Sequence, residues 1–447
     1  MDYAAAVRHL LSLGRELASP SQVSRGMFDL ESMRALAERL GRPERAFPSA
    51  HIAGTNGKGS TAAMLDSILR AAGFRTGLCT SPHLERINER MRVSGQEITD
   101  AAFAERFSQL ATIIEELLAA GRLRAHPTFF ECVTTLAFDH FARERVEFGV
   151  VEVGLGGRLD ATNILRPVMS IFTPVHLDHE SYLGHSIADI SREKAGIIKP
   201  RVPVVTAGQR PEALAVLAKC AADLRCRFIE AESAYRVEGE AWEDGCAHAT
   251  VREAETHWCA EVRLRLPGRF QLRNALTALA AARALADKGY AISDEAIVRG
   301  LAAAEWPGRL ERVRENPAVY LDGAHNPAAA RELSAFWQEY LAGRRIILLF
   351  GALRDKAVDE LSGLLFPGAS VVIFTEPPSP RAVSAERLAR ITGHHAARHE
   401  IIPDAEAALE RALALAARND AIFITGSLYL VGALRGLLLS SERVPSG

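Results

Sequence analysis

The stretch HIAGTNGKGST, residues 51–61, joins a short apolar run to a helical pattern through a turn that contains three glycines. The run Ala50–Ala53 predicts a buried strand, and the apolar residues within Ser60–Gly73 recur at helical spacing. Such a turn binds phosphates, because backbone N–H groups at the start of the helix point at the anion. We therefore predict a nucleotide site at this turn, in a fold of alternating strands and helices.

Lys58 lies in the turn, where it would meet the β- and γ-phosphates, and either Ser60 or Thr61 would reach a magnesium ion. The match to the general phosphate loop G-x-x-x-x-G-K-[ST] is imperfect. Ile52 occupies its first glycine position, and Gly59 separates the lysine from the hydroxyl residue. An ordinary glycine-rich turn therefore remains the alternative on spacing alone.

Outward from the turn, apolar runs alternate with helical patterns over most of the chain, which predicts an α/β fold with a parallel sheet covered by helices on both faces. The polar stretch 228–266 predicts a small antiparallel insertion. A second alternation after a junction near Trp306-Pro307-Gly308 predicts a smaller Rossmann-like α/β domain. We expect a P-loop ATPase-type domain over residues 1–300 and the smaller domain over residues 301–447. The predicted strands are Ala50–Ala53, Gly77–Thr80, Phe148–Val153, Met169–Thr173, Pro203–Thr206, Tyr320–Leu321, Arg345–Phe350, Val371–Thr375 and Ala421–Thr425.

Composition narrows the class of protein. The 447 residues are 48% hydrophobic and 24% charged, as in globular proteins, and this excludes a disordered chain. A formal charge of −2 gives no electrostatic footprint for nucleic acid. The six cysteines form no Cys-x-x-Cys pair, which favours reduced thiols in a cytoplasmic protein over a disulfide or zinc framework. The N-terminus lacks the pattern of a signal peptide.

The apolar segment 421–439 approaches the length of a membrane span. Arg435 lies inside it, and Thr425-Gly426-Ser427 interrupts it. We interpret the segment as a buried strand, a turn and an amphipathic helix, and we expect no membrane association.

Glu152 ends the apolar strand of the segment VVEVGLGGRLD, residues 150–160. A buried carboxylate is costly unless it meets a cation, and the carboxyl ends of parallel strands face the ligand crevice. A magnesium ligand is therefore the functional interpretation, and a glycine turn with a salt-bridged glutamate is the alternative. A dinucleotide fingerprint beginning at Gly154 fails, because position 159 is Leu and no helical pattern follows before Pro167.

Further polar clusters follow other predicted strands. Asp178 and His179 lie after the strand Met169–Thr173 and suggest a metal or phosphate role, although lone histidines are usually structural. The triplet Arg192-Glu193-Lys194 is typical of a solvated face. In the second half, the segment 321–327 (LDGAHNP) places an acid, a histidine and an amide in one turn, which simple turn chemistry also explains.

Six motifs together resemble one family, the folylpolyglutamate and dihydrofolate synthases of the Mur ligase superfamily. The resemblance covers nearly the whole chain and includes the extra Gly59 of the loop. The motifs are 51–61, TSPHL at 80–84, EVGLGGRLDATN at 152–163, LDHESYLG at 177–184, REKAGII at 192–198 and DGAHNP at 322–327.

The resemblance implies a role for particular residues. ATP would be held by Thr55, Asn56, Gly57, Lys58, Gly59, Ser60, Asn274, Arg309 and Asp322. Two magnesium ions would be held by Ser81, Glu152 and His179, together with a carbamylated Lys194. The catalytic set would be Lys58, Lys194, His179 and Glu152. The pterin-side pocket would include Thr128, Phe129, Phe130, Glu131, Arg158, Leu159 and Asp160, and the incoming glutamate would lie near His325 and Ser427.

The implied reaction is ATP-dependent addition of L-glutamate to folate or dihydropteroate through an acyl phosphate, by a monomer. Two alternatives remain: another Mur-type ligase of cell-wall precursors, and a nucleotide-binding regulator without ligase activity. The family usually has a Leu-Gly-Leu-Glu-like segment where this chain has Phe28-Asp29-Leu30-Glu31. Asp29 therefore leaves the pteridine substrate open, and the sequence does not fix the length of the polyglutamate tail.

Overall fold

A computed structural model describes residues 1–13, 30–243 and 246–441 of the chain. The chain forms two compact units that do not follow a single cut in the sequence. The first contains Met1–Ala241, His248–Leu264 and Leu272–Ala304, and the second contains Trp242–Ala247, Arg265–Gln271 and Glu305–Gly447. The division at residues 300 and 301 stays a prediction. Asp29 lies outside the described residues.

The first unit is built on an eight-stranded sheet in the order β4-β3-β2-β5-β1-β6-β7-β8. The pairs from β2 through β8 are parallel, which confirms the predicted parallel sheet. The unpredicted strands β3 and β4 add antiparallel pairing at one edge. The strands are β1 Ser49–Ala53, β2 Thr76–Cys79, β3 Met91–Val93, β4 Gln96–Glu97, β5 Phe148–Glu152, β6 Met169–Phe172, β7 Val204–Thr206 and β8 Phe228–Glu230.

Helices cover this sheet, and a small three-stranded sheet follows it in the order β11-β10-β9. Consecutive strands are neighbours there, as the predicted insertion requires. Its strands are β9 Tyr235–Glu243, β10 Cys246–Glu253 and β11 Cys259–Leu264. The helices up to residue 304 are α1 Tyr3–Ser12, α2 Glu31–Arg39, α3 Lys58–Ala71, α4 Asp100–Ala119, α5 Phe129–Arg143, α6 Glu180–Leu183, α7 Ile187–Ala195, α8 Pro211–Asp223, α9 Ala231–Ala234, α10 Arg269–Asp287 and α11 Asp294–Ala303.

Glycines occupy two facing positions on neighbouring strands, so aromatic rings of the core can pack directly on the backbone of the sheet. Gly77 on β2 pairs with Gly149 on β5. A Cβ at Gly77 would lie 2.8 Å from the ring of Phe141, and one at Gly149 would lie 2.7 Å from the ring of Phe47. The two rings meet edge to face, with centroids 5.8 Å apart. The absence of side chains at these two positions leaves space on the face of the sheet, and two buried aromatic rings occupy it.

The second unit has a six-stranded sheet in the order β12-β13-β17-β14-β15-β16. Only β12 among these strands pairs antiparallel. The strands are β12 Glu311–Glu315, β13 Ala318–Leu321, β14 Ile346–Phe350, β15 Val371–Phe374, β16 His399–Ile401 and β17 Ala421–Thr425. The helices are α12 Pro327–Tyr340, α13 Val358–Leu365, α14 Ala385–Thr392, α15 Ala405–Leu415 and α16 Leu428–Ser441.

Aromatic pairs hold the second core together. Tyr320 and Phe423 occupy facing positions on β13 and β17, and their rings stack with centroids 4.7 Å apart. Trp337 of α12 packs on the same Phe423. The segment 421–439 is a strand followed by a helix, as predicted, and none of the described helices is long and apolar enough to cross a membrane.

Candidate functional site

The predicted phosphate turn connects the central strand β1 to α3. Gly54 has φ 152°, and a Cβ there would lie 1.9 Å from Thr173 Oγ1. Gly57 has φ 87°, and a Cβ there would lie 2.4 Å from Asn274 Oδ1. Both positions therefore require glycine. The resulting cradle brings Asn274 of α10 against the turn.

The start of α3 is suited to an anion. Gly57 is its N-cap residue, so no side chain caps the helix, and the first turn contains no acid. The first N–H groups of α3 and the positive end of its dipole therefore point toward the glycine-rich loop, and Lys58 and Ser60 lie in the first turn of the helix. The turn is anchored from behind by Thr55, whose N–H donates to Pro174 O at 2.9 Å.

Lys58, Glu152 and Ser81 converge beside this turn. Glu152 ends β5 and is 4% exposed. Its Oε2 accepts from the Ser81 N–H at 3.1 Å, and its Oε1 lies 3.9 Å from Lys58 Nζ. Lys58 also donates to Thr55 O at 3.1 Å. A buried carboxylate thus shares its two oxygens between a loop N–H group and the lysine of the turn.

Lys194 is buried, contrary to the solvated face that its charged triplet suggested. Its Nζ donates to Gly54 O at 2.7 Å, whereas Arg192 in the same triplet is exposed. Burial, with a further contribution from Lys58, lowers the pKa of Lys194 to about 7. The expectation that this triplet faces solvent was wrong for Lys194, because the face of α7 that carries Lys194 packs against the glycine-rich turn at Gly54. At neutral pH a large share of this amine is uncharged.

His179 lies at the start of the short helix α6 with φ 52°. Its N–H donates to Asp178 Oδ1 at 2.9 Å. The charge of Asp178 acts on Lys194 and partly offsets the lowering of its pKa. Asp178 therefore lies close enough to the Lys194 amine to influence it electrostatically.

A buried hydrogen-bond chain, which sequence reasoning missed, supports the loop 154–162. His51 Nε2 lies 2.8 Å from Thr162 Oγ1, and that hydroxyl donates to Asp160 Oδ1. The hydroxyl has one proton, so His51 must donate through Nε2–H. Burial lowers the pKa of His51 to about 3, which keeps the ring neutral. A histidine inside the apolar strand Ala50–Ala53 was the available signal.

Asp160 is the acceptor at the centre of this chain. It also accepts the N–H groups of Leu155 and Thr162, at 2.9 and 3.0 Å. Burial raises its pKa, and these hydrogen bonds oppose that effect. The two preceding residues are less buried than Asp160. Arg158 is exposed and pairs with Glu193 at 3.0 Å, and Leu159 is half-buried.

The segment 128–131 forms the start of helix α5. Thr128 caps α5, and its N–H donates to Glu131 Oε2 at 2.7 Å, which completes a capping box. Phe129 is buried, with the guanidinium of Arg90 5.2 Å from its ring centroid. Phe130 packs on Gly154, where a Cβ would lie 2.4 Å from the ring.

In the second unit, Asp322 follows the end of β13 and accepts the N–H groups of Leu310 and Ala324, both at 2.9 Å. Burial raises its pKa, and the nearby Arg309 opposes this. His325 Nδ1 lies 2.7 Å from Gly323 O.

Ser427 follows the adjacent strand β17 and is buried. The N–H of Gly426 donates to Ala324 O at 3.0 Å, which ties this turn to the one that carries His325. The carboxyl ends of two parallel strands thus gather an acid, a histidine and a hydroxyl.

Known proteins are similar to this chain over almost its full length. Residues 52–282 match the family described as Mur ligase middle domain, and residues 308–428 match Mur ligase, glutamate ligase domain. The dihydrofolate synthase/folylpolyglutamate synthase of Bacillus subtilis is 36% identical over 408 residues, 91% of this chain and 94% of its own.

Two solved structures are similar in fold as well. Mycobacterium tuberculosis folylpolyglutamate synthase, complexed with ADP and AMPPCP, has a TM-score of 0.88 at 33% identity and covers 98% of this chain and 99% of its own. An Escherichia coli relative, described in complex with DHPP and ADP, has a TM-score of 0.86 at 30% identity and covers 99% of both chains.

Proposed function

The chain belongs to the folylpolyglutamate and dihydrofolate synthase family of Mur ligases, and we propose from this how its residues carry out the ligation. It is an ATP-dependent ligase that adds L-glutamate to a folate-type carboxylate. The observation that carries the proposal is the convergence of Lys58, Glu152 and the Ser81 N–H group at an uncapped helix start.

The chemistry needs activation, because a carboxylate is a poor acylating agent. Transfer of the γ-phosphoryl group of ATP to the carboxylate gives an acyl phosphate and ADP. The amine of glutamate then attacks the acyl carbon, the C–O bond to phosphate breaks, and the amine loses a proton. Lys58 neutralises charge on the transferring group, and the cradle of Gly54 and Gly57 positions it. We assign Asn274, which lies against Gly57, to the bound nucleotide.

Magnesium fits the residues present. Glu152 offers a buried carboxylate next to Ser81, and hard oxygen ligands are those that Mg²⁺ prefers. When bound, the ion would neutralise phosphate charge at this position. The imidazole of His179 is a less typical ligand for Mg²⁺. A second ion near His179 would therefore need a further oxygen ligand.

A carbamylated Lys194 would supply that ligand. Carbamylation joins an uncharged amine to CO₂ by an N–C bond and releases a proton, so it requires an amine that is not held protonated. Burial and a pKa of about 7 provide this at Lys194. We propose the carbamate as a ligand on the side of His179. A carbonyl ¹³C signal from ¹³CO₂ that persists in Lys194→Ala would refute it.

On the acceptor side, we assign the pterin ring to the surface formed by Phe129, Phe130 and the loop with Arg158, Leu159 and Asp160. The support is that Phe130 packs directly on Gly154 of that loop. Thr128 and Glu131 would act there through the helix cap they form. In the second unit, we assign Arg309 and Asp322 to ATP, and His325 and Ser427 to the incoming glutamate.

One assay separates the candidate acceptors. The full-length enzyme is given MgATP, L-glutamate and either dihydropteroate, tetrahydrofolate or a UDP-muramyl acceptor, and products are identified by mass. We expect glutamate addition to one or both pteridines. Product with the muramyl acceptor alone would overturn the folate assignment, and no product with any acceptor would favour a regulator. The monomeric state and the cytoplasmic location stay predictions.

A pair of variants tests the metal assignment. Glu152→Gln keeps the shape but removes the charge, so we expect the magnesium concentration for half-maximal activity to rise about tenfold or more. Glu147→Gln, a change at an exposed position just before the same strand, is the matched control and should behave like wild type. An unchanged magnesium titration in Glu152→Gln would contradict the role of this carboxylate.

A further inference from the structure

A cluster of metal-binding side chains lies in the second unit, among residues given no role in the ligation. Asp359 is in the first turn of α13, and His394 and His395 end the single-turn helix Gly393–His395 that follows α14. One ligand atom from each residue lies within 4.8 Å of the other two. Two segments 35 residues apart in sequence therefore present two imidazoles and one carboxylate to one point.

The contacts within the cluster bring the rings to the carboxylate. His395 Nε2 lies 3.3 Å from Asp359 Oδ1. The rings of His394 and His395 lie against one another, with centroids 3.9 Å apart and planes tilted by 42°. The two rings are therefore close neighbours, and one ligand atom of each lies within 4.8 Å of the other and of the Asp359 carboxylate.

Gly363 lies beside the His395 ring. It lies one helical turn after Asp359, on the same face of α13, and a Cβ there would be 3.6 Å from His395 Cε1. The His395 ring therefore lies along the helix directly over a residue without a side chain. A large side chain at position 363 would push the ring away from the carboxylate.

We propose that Asp359, His394 and His395 bind a divalent transition-metal ion, of which Zn²⁺ is the probe of choice. Imidazole suits zinc, copper and nickel, whereas magnesium and calcium select oxygen ligands. Three protein ligands leave a fourth position of a tetrahedral site to water. The bound ion links α13 to the turn after α14 and so stabilises the second unit.

The ion competes with protons and with ion pairs for these ligands. Both imidazoles must be neutral to coordinate the ion. Asp359 gives up its long contact with His395 when it coordinates. His399 is the neighbouring imidazole, placed beside Gly393, but it is not a member of the cluster.

The test uses the full-length protein, freed of metal with EDTA, exchanged into chelator-free buffer and kept in millimolar MgCl₂ so that oxygen sites are occupied. Zinc is titrated by calorimetry into wild type, the double variant His394→Gln/His395→Gln, and the control His399→Gln. We expect the double variant to bind one equivalent fewer than wild type, and Asp359→Asn to bind that equivalent about tenfold or more weakly. Zinc held near His179 would remain in every variant, so the difference reports only this cluster.

Two further readouts fix the interpretation. Zinc should raise the melting temperature of wild type and of His399→Gln, but not that of the double variant. Magnesium-dependent ligation should be the same in all of them, which separates this proposal from the proposed reaction. Equal zinc stoichiometry in wild type and the double variant would overturn the site, and loss of the equivalent in His399→Gln would overturn this ligand set.

Discussion

Replacing Lys194 by Met should make the protein more stable near neutral pH while it removes activity. Lys194 is 5% exposed, and burial lowers the pKa of its amine from the ordinary 10.5 to about 7. Each pKa unit corresponds to about 1.4 kcal/mol. Below pH 7 the protonated side chain therefore costs the folded protein about 5 kcal/mol relative to the unfolded chain.

The sign follows from which state holds the proton. Between pH 7 and pH 10.5 the unfolded chain binds a proton at Lys194 that the folded protein has lost. The free energy of unfolding therefore rises with pH in this window, by about 1.4 kcal/mol per unit for this one group. Methionine does not titrate, so the advantage of the variant should be largest below pH 7 and shrink as the pH rises.

The stability gained by Lys194→Met is smaller than the full cost of burying the protonated lysine, because Met leaves the Gly54 carbonyl without its donor at 2.7 Å. An unsatisfied buried acceptor costs about 1–3 kcal/mol. We expect Lys194→Met to be about 2–4 kcal/mol more stable than wild type at pH 6.5, and about equal to it at pH 9.

Scanning calorimetry in CO₂-free buffer with EDTA, at pH 6.5, 7.5 and 9, measures this difference. Lys219→Met is the matched control, because that lysine is exposed on α8 and pairs with Asp223. It should show no stabilisation that fades with pH. The same difference between Lys194→Met and wild type at all three pH values would refute the buried, titrating amine.

Three further changes have defined outcomes. His51→Leu removes the donor to Thr162 and should raise the KM for the pteridine more than it lowers kcat. His51→Gln retains an N–H at a similar reach and should restore the wild-type KM. Equal KM values in the two variants would contradict the positioning of Asp160 by His51. Gly149→Ala should lower stability by about 1–3 kcal/mol, since its Cβ would meet Phe47 at 2.7 Å; an unchanged melting temperature would contradict this packing. Asp322→Asn places an NH₂ group against one of two backbone donors and should destabilise by about 1–3 kcal/mol, measured by urea unfolding, with an unchanged midpoint as the opposing result.

Much of the first sheet could be predicted from the sequence, because buried parallel strands are continuous apolar runs that end in glycines or polar residues. The hairpin of β3 and β4 could not, because β4 is short and exposed and has no apolar alternation.

Some residues of the candidate site could likewise be predicted from local sequence signals, and others could not. The turn around Lys58 and the strand-end Glu152 were readable, since glycine spacing and an acid after an apolar run are local signals. The burial of Lys194 was not, because it depends on packing against a turn 140 residues earlier in the chain. The capping box of Thr128 and Glu131 was also readable, because T-x-x-E is a local signal of a helix start.

The second unit also takes in two segments that precede it in the chain, Trp242–Ala247 and Arg265–Gln271. Trp242 meets the ring of Tyr340 at 5.7 Å, and Arg269 pairs with Glu339. A fragment expressed from residue 305 onward would therefore lose an aromatic neighbour and an ion pair from the same end of α12. Recombination between relatives, or an engineered swap of the second unit, would have to exchange residues 242–247 and 265–271 along with the tail. A crossover at residue 304 alone would combine α12 from one parent with partners selected in another.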